Sequence, residues 1–355
     1  MSRPELKTGG SAAPARETPT TRERKADHIR LALDPLLRPE RSWFDEYRLE
    51  HNALPEIDFE SIDTAVSFLG KRLTAPLLIS CMTGGTEEAR RINRNLALAA
   101  EATGVAVGVG SQRAALEDPS TRESFQIRPL APTVPVLANL GAVQLNYGYG
   151  LAECRRAVDM LKADALVLHL NPLQEAIQPE GQRNFGGLLE KIGKVAAALE
   201  VPVIVKEVGA GISLGAARAL EQVGVRIVDV AGSGGTSWAR IEATRANDFE
   251  LGERFADWGI PTPVAIGALR ALPGLTVIGS GGIRHGVDAA KAIAAGAHMV
   301  GLAHSFLMAA AESAERVVEK VRQTVHELRI CMFCTGAGTV EELRQVPLLT
   351  RRTGP

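Results

Sequence analysis

VIGSGGIRHGVDAAKAIAAGAHMVGLAHSFL, residues 277–307, is the stretch on which the fold turns. An apolar run ends in Ser280, Gly281 and Gly282, and the helical pattern GVDAAKAIAAGA follows. A second apolar run, MVGLAH, then ends at Ala303 and His304 before another helical pattern begins. Two parallel strands joined by a crossover helix need this order. Glycine frees backbone N–H groups at the strand ends, and with a helix N-terminus these suit a phosphate dianion. Each glycine site alone could be a plain tight turn. Two in tandem, at the last two strand ends, favour a phosphate site, and the loops after strands seven and eight are a frequent one in α/β barrels.

The same alternation runs back through the chain. APLLIS (75–80), VAVGV (105–109), VPVLANL (134–140), ALVLHL (165–170), VPVIVKEV (201–208) and IVDVAG (227–232) precede TVIGSGG (276–282) and MVGLAH (299–304). Nearly continuous apolar runs predict parallel strands covered on both faces. Between them, EEARRINRNLALAAEAT (87–103) and LAECRRAVDMLKA (151–163) carry apolar residues three and four apart and predict helices. Eight alternations predict a (β/α)8 TIM barrel; six or seven strands would leave a doubly wound sheet open. Polar residues gather where the runs end, which is the active-site end of such barrels. The stretch 233–260, with Trp238 and Trp258, is long for a crossover and suggests a lid, an interface or simple packing. From residue 305 onward, long helices are expected to close the barrel.

Composition narrows the function classes. Lys and Arg number 40 against 41 Asp and Glu, a net charge of -1, which gives no support for binding nucleic acid or anionic membranes. Four cysteines make no disulfide framework, and with no signal-peptide core and no apolar run near the ~20 residues of a membrane span, a cytoplasmic protein is expected. Residues 1–20, rich in Gly, Pro, Ala and Thr, read as a disordered tail, leaving 21–355 as a single domain.

Several strand ends carry chemistry. In HLNPLQEAIQPEG (169–181), His169 and Asn171 lie two apart on one face, with Gln174 and Glu175 following. Glu175 offers a hard oxygen, and a carboxylate with substrate phosphates is a common Mg²⁺ site; a solvated loop carboxylate is the plainer reading. Lys206, inside the apolar VPVIVKEV, needs an anionic partner, either a cofactor edge or Asp229 on the sixth strand. GSGGTSWARIE (232–242) adds Thr236 and Glu242. RERKADHI (22–29) supplies Arg24, Lys25 and His28, and GSQRAAL (110–116) adds Arg113, enough cations for a diphosphate. Cys331 and Cys334, a lone C-x-x-C in a helical pattern, read as buried helix thiols rather than a zinc or redox pair. His51, His285, His298 and His326 stand in no motif.

Taken together these residues resemble the type 2, FMN-dependent, isopentenyl diphosphate isomerases, from about Arg22 to the C-terminal region. The resemblance rests on R-K-x-x-H at 24–28, MTGG at 82–85, GSQ at 110–112, ANLG at 138–141, HLN-x-x-QE at 169–175, VKEVG at 205–209, GGT at 234–236 with Glu242, and SGG at 280–282. It implies FMN contacts from Met82, Thr83, Gly84, Ser111, Asn139, Lys206, Thr236, Gly281, Gly282, Ala303 and His304. His304 follows Ala303 where family members vary. It implies a diphosphate lined by Arg24, Lys25, His28, Ser111, Gln112 and Arg113, with Asn171 and Gln174 also toward substrate. His169, Gln174 and Glu242 would serve catalysis, and Glu175 would hold Mg²⁺. The implied reaction moves a double bond between isopentenyl and dimethylallyl diphosphate without net redox change, on flavin reduced by NADPH, in a homo-oligomer (tetramer or octamer).

The 277–307 stretch is shared by many FMN-binding barrels, so rivals need weighing. A 2-hydroxy acid oxidase needs a histidine base near strand six, where VAGSGGTSW has none. An inosinate-type dehydrogenase would want a cysteine in the same loop. A barrel that binds a phosphorylated ligand without catalysis would need no HLN-x-x-QE cluster, and would be colourless.

Overall fold

A computed structural model describes residues 21–37 and 42–350, so the tail expected at 1–20 lies outside the described residues. All eight runs form strands: β1 (Leu77–Ile79), β2 (Ala106–Gly108), β3 (Val136–Gly141), β4 (Ala165–His169), β5 (Val203–Lys206), β6 (Ile227–Asp229), β7 (Thr276–Ser280) and β8 (Met299–Leu302). Each pairs in parallel with the next, and β8 returns to β1 with Val300 opposite Leu77. The sheet is a closed barrel, as expected.

Strand alternation decides what each face meets. Leu78, Ala106, Leu137, Val167, Ile204, Ile278 and Met299 turn inward and form the barrel's own core. Their neighbours Leu77, Ile79, Val136, Ala138, Leu166, Leu168, Val203 and Val205 turn outward, into the larger apolar layer beneath the helices. A two-residue step keeps the same face. One step beyond the inward row the side chains become polar: Ser80, Asn139, His169, Lys206, Asp229 and Ser280. That change from apolar to polar layer marks the floor of the site.

The other end of the barrel is plugged. Val66–Phe68 and Lys71–Leu73 form a hairpin whose turn residues, Leu69 and Gly70, both have positive φ (51° and 73°), the twist a two-residue hairpin requires. Phe68 and Leu73 cap the interior core. A second antiparallel pair joins Tyr47–Leu49 to Leu348–Thr350. The sequence reading anticipated neither ribbon.

The helix Glu87–Thr103 shows how local chemistry sets an element. The Thr86 side chain accepts from Ala89 N, Glu87 and Glu88 favour the N-terminal turn, and Gly104 ends the helix at φ 66°. Its buried face carries Ala89, Ile92, Leu96, Ala99 and Ala100. The helix expected over 151–163 stops at Leu161, because Lys162 turns left-handed (φ 47°). Residues 233–260 hold two helices, Trp238–Ala246 and Phe249–Arg254. Trp238 stands at the mouth of the barrel, edge-on to His28 with ring centroids 5.0 Å apart, while Trp258 is exposed. The C-terminal helices are His304–Glu312 and Ala314–Thr335, the latter packed on Glu87–Thr103 and Gly286–Ala295. Cys331 and Cys334 on that long helix are free and only partly buried, less enclosed than expected. Among the described residues no helix is long and apolar enough to cross a membrane.

Candidate active site

At the carboxyl ends of the strands lies a cavity of about 380 Å³. Its floor is the polar inward layer. His169 Nδ1 lies 2.9 Å from Asn139 Oδ1. Lys206 Nζ is 3.4 Å from Asp229 Oδ2, and Ser280 Oγ donates to Asp229 Oδ1 at 2.5 Å. The buried lysine thus has its carboxylate on the neighbouring strand, the plainer of the two partners expected. Burial, then the charges of Lys206 and Lys25, push the His169 pKa down to about 4, so its imidazole is neutral at pH 7.

One wall is built of glycine. Gly281 and Gly282 have φ of 99° and 72°. A Cβ on Gly281 would stand 2.2 Å from Gly232 O, and one on Gly282 2.5 Å from Gly234 O. Only glycine lets the loops after β6 and β7 approach so closely. Thr262 Oγ1 donates to Gly281 O (2.8 Å), and Ser42 Oγ donates to Gly282 O (2.7 Å), which fixes both peptides. Beside them the helix His304–Glu312 starts at the cavity. Its N-cap, Ala303, offers no side-chain cap, and the buried Ser305 Oγ has no partner. Backbone donors of a first helical turn lack intrahelical acceptors, so this wall suits an anion.

The opposite rim is cationic and comes from a distant part of the chain. The helix Thr21–Leu33 lays Arg24, Lys25 and His28 along the cavity. Lys25 Nζ donates to Ser111 O (2.5 Å) and sits 5.0 Å from the Phe125 ring centroid. Burial, and then the charge of Arg24, bring the Lys25 pKa from 10.5 to about 7. Burial and Arg113 likewise lower that of Arg24. Arg113 is tethered through Nε to Glu117 (2.6 Å) and through Nη1 to Gln182 (3.2 Å). Like charges crowded in a desolvated rim are unfavourable until an anion arrives.

Between rim and floor runs a directed hydrogen-bond chain. Asn171 Nδ2 donates to Gln174 Oε1 and to Glu175 Oε1, both at 3.0 Å. Gln174 Nε2 donates to Glu242 Oε1 at 2.7 Å, and His28 Nε2 is 2.9 Å from the same oxygen. Gln178, in the amide orientation that satisfies both neighbours, donates to Glu242 Oε1 and accepts from Arg24 Nη1, each at 3.1 Å. Burial acts to raise the Glu242 carboxyl, but the bonds from His28, Gln174 and Arg245 outweigh it and hold it below the usual range. Glu175 Oε2 accepts from Gln182 N at 2.6 Å. Among the described residues no group of three or more His, Cys, Asp or Glu side chains converges as a metal cage.

Most residues expected at the site line this cavity: Arg24, Lys25, His28, Met82, Thr83, Ser111, Arg113, Asn139, His169, Asn171, Gln174, Glu175, Lys206, Thr236, Gly281, Gly282, Ala303 and His304. Three are absent from its wall. Gln112, expected on the diphosphate, is fully buried; its Nε2 donates to Ala157 O and its Oε1 accepts from Asn139 N, both at 2.9 Å. It braces β3 and does not line the cavity. Gly84 faces the Phe125 ring, which a Cβ there would approach to 2.0 Å. Glu242 is fully buried behind Gln174, Gln178 and His28 and meets the cavity through them. Sequence reasoning passed over Ser80, Gln178 and Arg284 on the cavity wall. Ser80 closes the APLLIS run and Gln178 lies one turn beyond Gln174, signals that could have found both. Of the motif-free histidines, His285 caps the helix Gly286–Ala295, and His298 Nδ1 accepts from Val277 N.

Comparison with known proteins agrees with this geometry. The profile of the FMN-dependent dehydrogenase family matches residues 34–130 and 157–350. An isopentenyl-diphosphate delta-isomerase of Nostoc sp. is 51% identical, over 93% of this chain and 96% of that one. Its counterpart in Synechococcus sp. is 52% identical (92% and 96% covered), and that of Paracoccus zeaxanthinifaciens 53% (93% and 97%). Among solved structures, a mandelate oxidase variant superposes with a TM-score of 0.63 at 20% identity, covering 92% of this chain and 98% of that one, a likeness of fold alone. Similarity to the isomerases at this level, over nearly the whole length, means that the chain belongs to the FMN-dependent dehydrogenase family and, within it, to the type 2 isopentenyl-diphosphate delta-isomerases.

Proposed function

We propose that this chain interconverts isopentenyl and dimethylallyl diphosphate by adding one proton and removing another, with reduced FMN in the glycine-walled part of the cavity and Mg²⁺ at Glu175. One observation carries the reading: a single cavity joins an anion cradle, a neutral imidazole and amide wall, and a rim of Arg24, Lys25 and Arg113. The residues suit FMN. A Cβ at Gly281 or Gly282 would fill the cradle, the uncapped turn at Ala303 and the unpartnered Ser305 Oγ offer donors to a phosphate, and Lys206 can face an anionic ring. Bound and reduced, FMN supplies ring nitrogens able to give and take protons, with NADPH as the reductant.

The chain's own residues do the rest. Arg24, Lys25, His28 and Arg113 take the diphosphate, with Ser111 beside them, and Glu175 offers the metal one carboxylate, the usual protein share when phosphates supply further ligands. Holding the diphosphate at the rim places the isoprene carbons between His169 and Gln174. His169, kept neutral, adds no positive charge beside a carbon skeleton that gains one on protonation. Gln174, held by Asn171 and Glu242, orients toward the same carbons. We place the enzyme in the cytoplasm as a homo-oligomer, a tetramer or octamer.

The test is anaerobic turnover with a limiting, known amount of dithionite, following both diphosphates and the visible spectrum. Many product molecules per reduction are expected, and none with oxidised flavin. One reductant consumed per product, or a colourless protein, would defeat the reading.

A further inference from the structure

Three residues beyond Glu242, on the helix Trp238–Ala246, lies an arginine that no motif singled out and that is not part of the cavity wall. The Arg245 side chain is 6% exposed and meets carboxylates from three elements. Nη1 donates to Glu242 Oε2 at 2.6 Å, and Nη2 donates to Glu180 Oε1 at 2.8 Å in the loop after β4. Nε lies 3.7 Å from Asp27 Oδ2 on the N-terminal helix. A planar guanidinium can serve several acceptors at once, and it keeps its charge at every working pH.

This divides the Glu242 carboxylate. Oε2 belongs to Arg245, while Oε1 meets His28 and Gln174. With Oε1 an acceptor, the Gln174 amide must point its Nε2 at Glu242 and leave its Oε1 for Asn171 Nδ2. A protonated Glu242 would no longer demand that direction. Asn171 Nδ2 alone would then be left to set the amide, and its hold on the direction is weaker. The titratable and charged groups around Glu242 are Arg24, Asp27 and His28 from the N-terminal helix, Glu175 and Glu180 from the segment after β4, and Arg245 on its own helix.

We propose that Arg245 is a positioning residue for the isomerisation: it keeps Glu242 ionised and so fixes the direction of the Gln174 amide at the cavity wall. The role rests on the function proposed above. Burial disfavours a charged carboxylate and His28, Gln174 and Arg245 oppose it, so without the guanidinium that opposition weakens and the Glu242 pKa rises. If catalysis needs the ionised form, activity is then lost as pH falls through that raised pKa and recovers above it.

The experiment measures kcat of the reduced holoenzyme at saturating isopentenyl diphosphate and Mg²⁺ between about pH 5.5 and about pH 8.5. Arg245→Gln should show a new acid limb, kcat falling roughly tenfold per pH unit, absent from the wild type. Arg245→Lys keeps a charge and should show no such limb, with a raised KM, because one ammonium cannot hold all three carboxylates. The limb should also be missing when Arg245→Gln is combined with Glu242→Gln. A uniform loss at every pH in Arg245→Gln overturns the proposal, as does a limb that survives in the double variant. Should Arg245→Gln not fold, an acid limb in Arg245→Lys overturns the proposal and a parallel profile supports it. A wild type that does not isomerise would remove the underlying reading; an active wild type whose profile Arg245→Gln merely parallels removes only the role of Arg245.

Discussion

Raising the pH past neutrality should weaken the capture of the diphosphate through one residue, Lys25. Its ammonium is enclosed between Ser111 O and the Phe125 ring, and burial, followed by the charges of Arg24 and Arg113, brings its pKa from 10.5 to about 7, with Glu117 opposing only in part. Above that value the free enzyme carries a neutral amine, and binding the diphosphate must first take up a proton. The cost is about 1.4 kcal/mol, or tenfold in kcat/KM, for each pH unit, and kcat/KM is the quantity that reports free-enzyme ionisation. The assay is initial rates at constant ionic strength for the wild type, Lys25→Arg and Lys25→Met. Wild-type kcat/KM should fall roughly tenfold per unit above about pH 7.5, while kcat changes less because the bound diphosphate restores the ammonium. Lys25→Arg should lack the limb, and Lys25→Met should be low throughout. A flat wild-type profile, or the same limb in Lys25→Arg, refutes the argument. Stability carries the opposite sign. The folded pKa lies below the unfolded one, so between about 7 and 10.5 the unfolded chain binds more protons, and the free enzyme gains stability as pH rises through that window.

Glu175→Gln should retain bound FMN but lose Mg²⁺-dependent activity; normal turnover with Mg²⁺, or a colourless protein, would deny it a dedicated metal role. Gly281→Ala places a Cβ 2.2 Å from Gly232 O at a φ of 99°, and should strip flavin from the purified protein, read as the ratio of flavin to protein absorbance. An unchanged ratio would count against the cradle. Gln112→Ala leaves the Asn139 N–H without its acceptor in the interior, costing about 1–3 kcal/mol beside the lost packing, so a fall in Tm is expected. A raised KM at unchanged Tm would return Gln112 to the diphosphate.

Much of this protein was legible in its sequence because the signals are local. Strand, crossover helix and glycine-rich turn are each written within a few residues, which is why all eight strands and the 277–307 cradle could be read without the structure. A two-residue period also tells which side chains share a face, so His169 and Asn171 were expected together at the end of the fourth strand, with Asn139 and Lys206 at the ends of its neighbours. What no local pattern contains is the result of closing the barrel. Gln112 sits in a motif beside Ser111 and Arg113, yet the packing of Ala157 against β3 turns it inward. Glu242 lies 68 residues from Gln174, and it becomes the second layer of the site only because β4 and β6 deliver their following helices side by side. The N-terminal helix was expected to bring cations to a diphosphate, but only the fold sets it against the helix after β6, where Lys25 loses its water and Arg245 gains three carboxylates. Composition and periodicity settle which elements form, since those free energies are local. Desolvation and charge pairing belong to contacts between distant segments, so they exist only once the chain has closed.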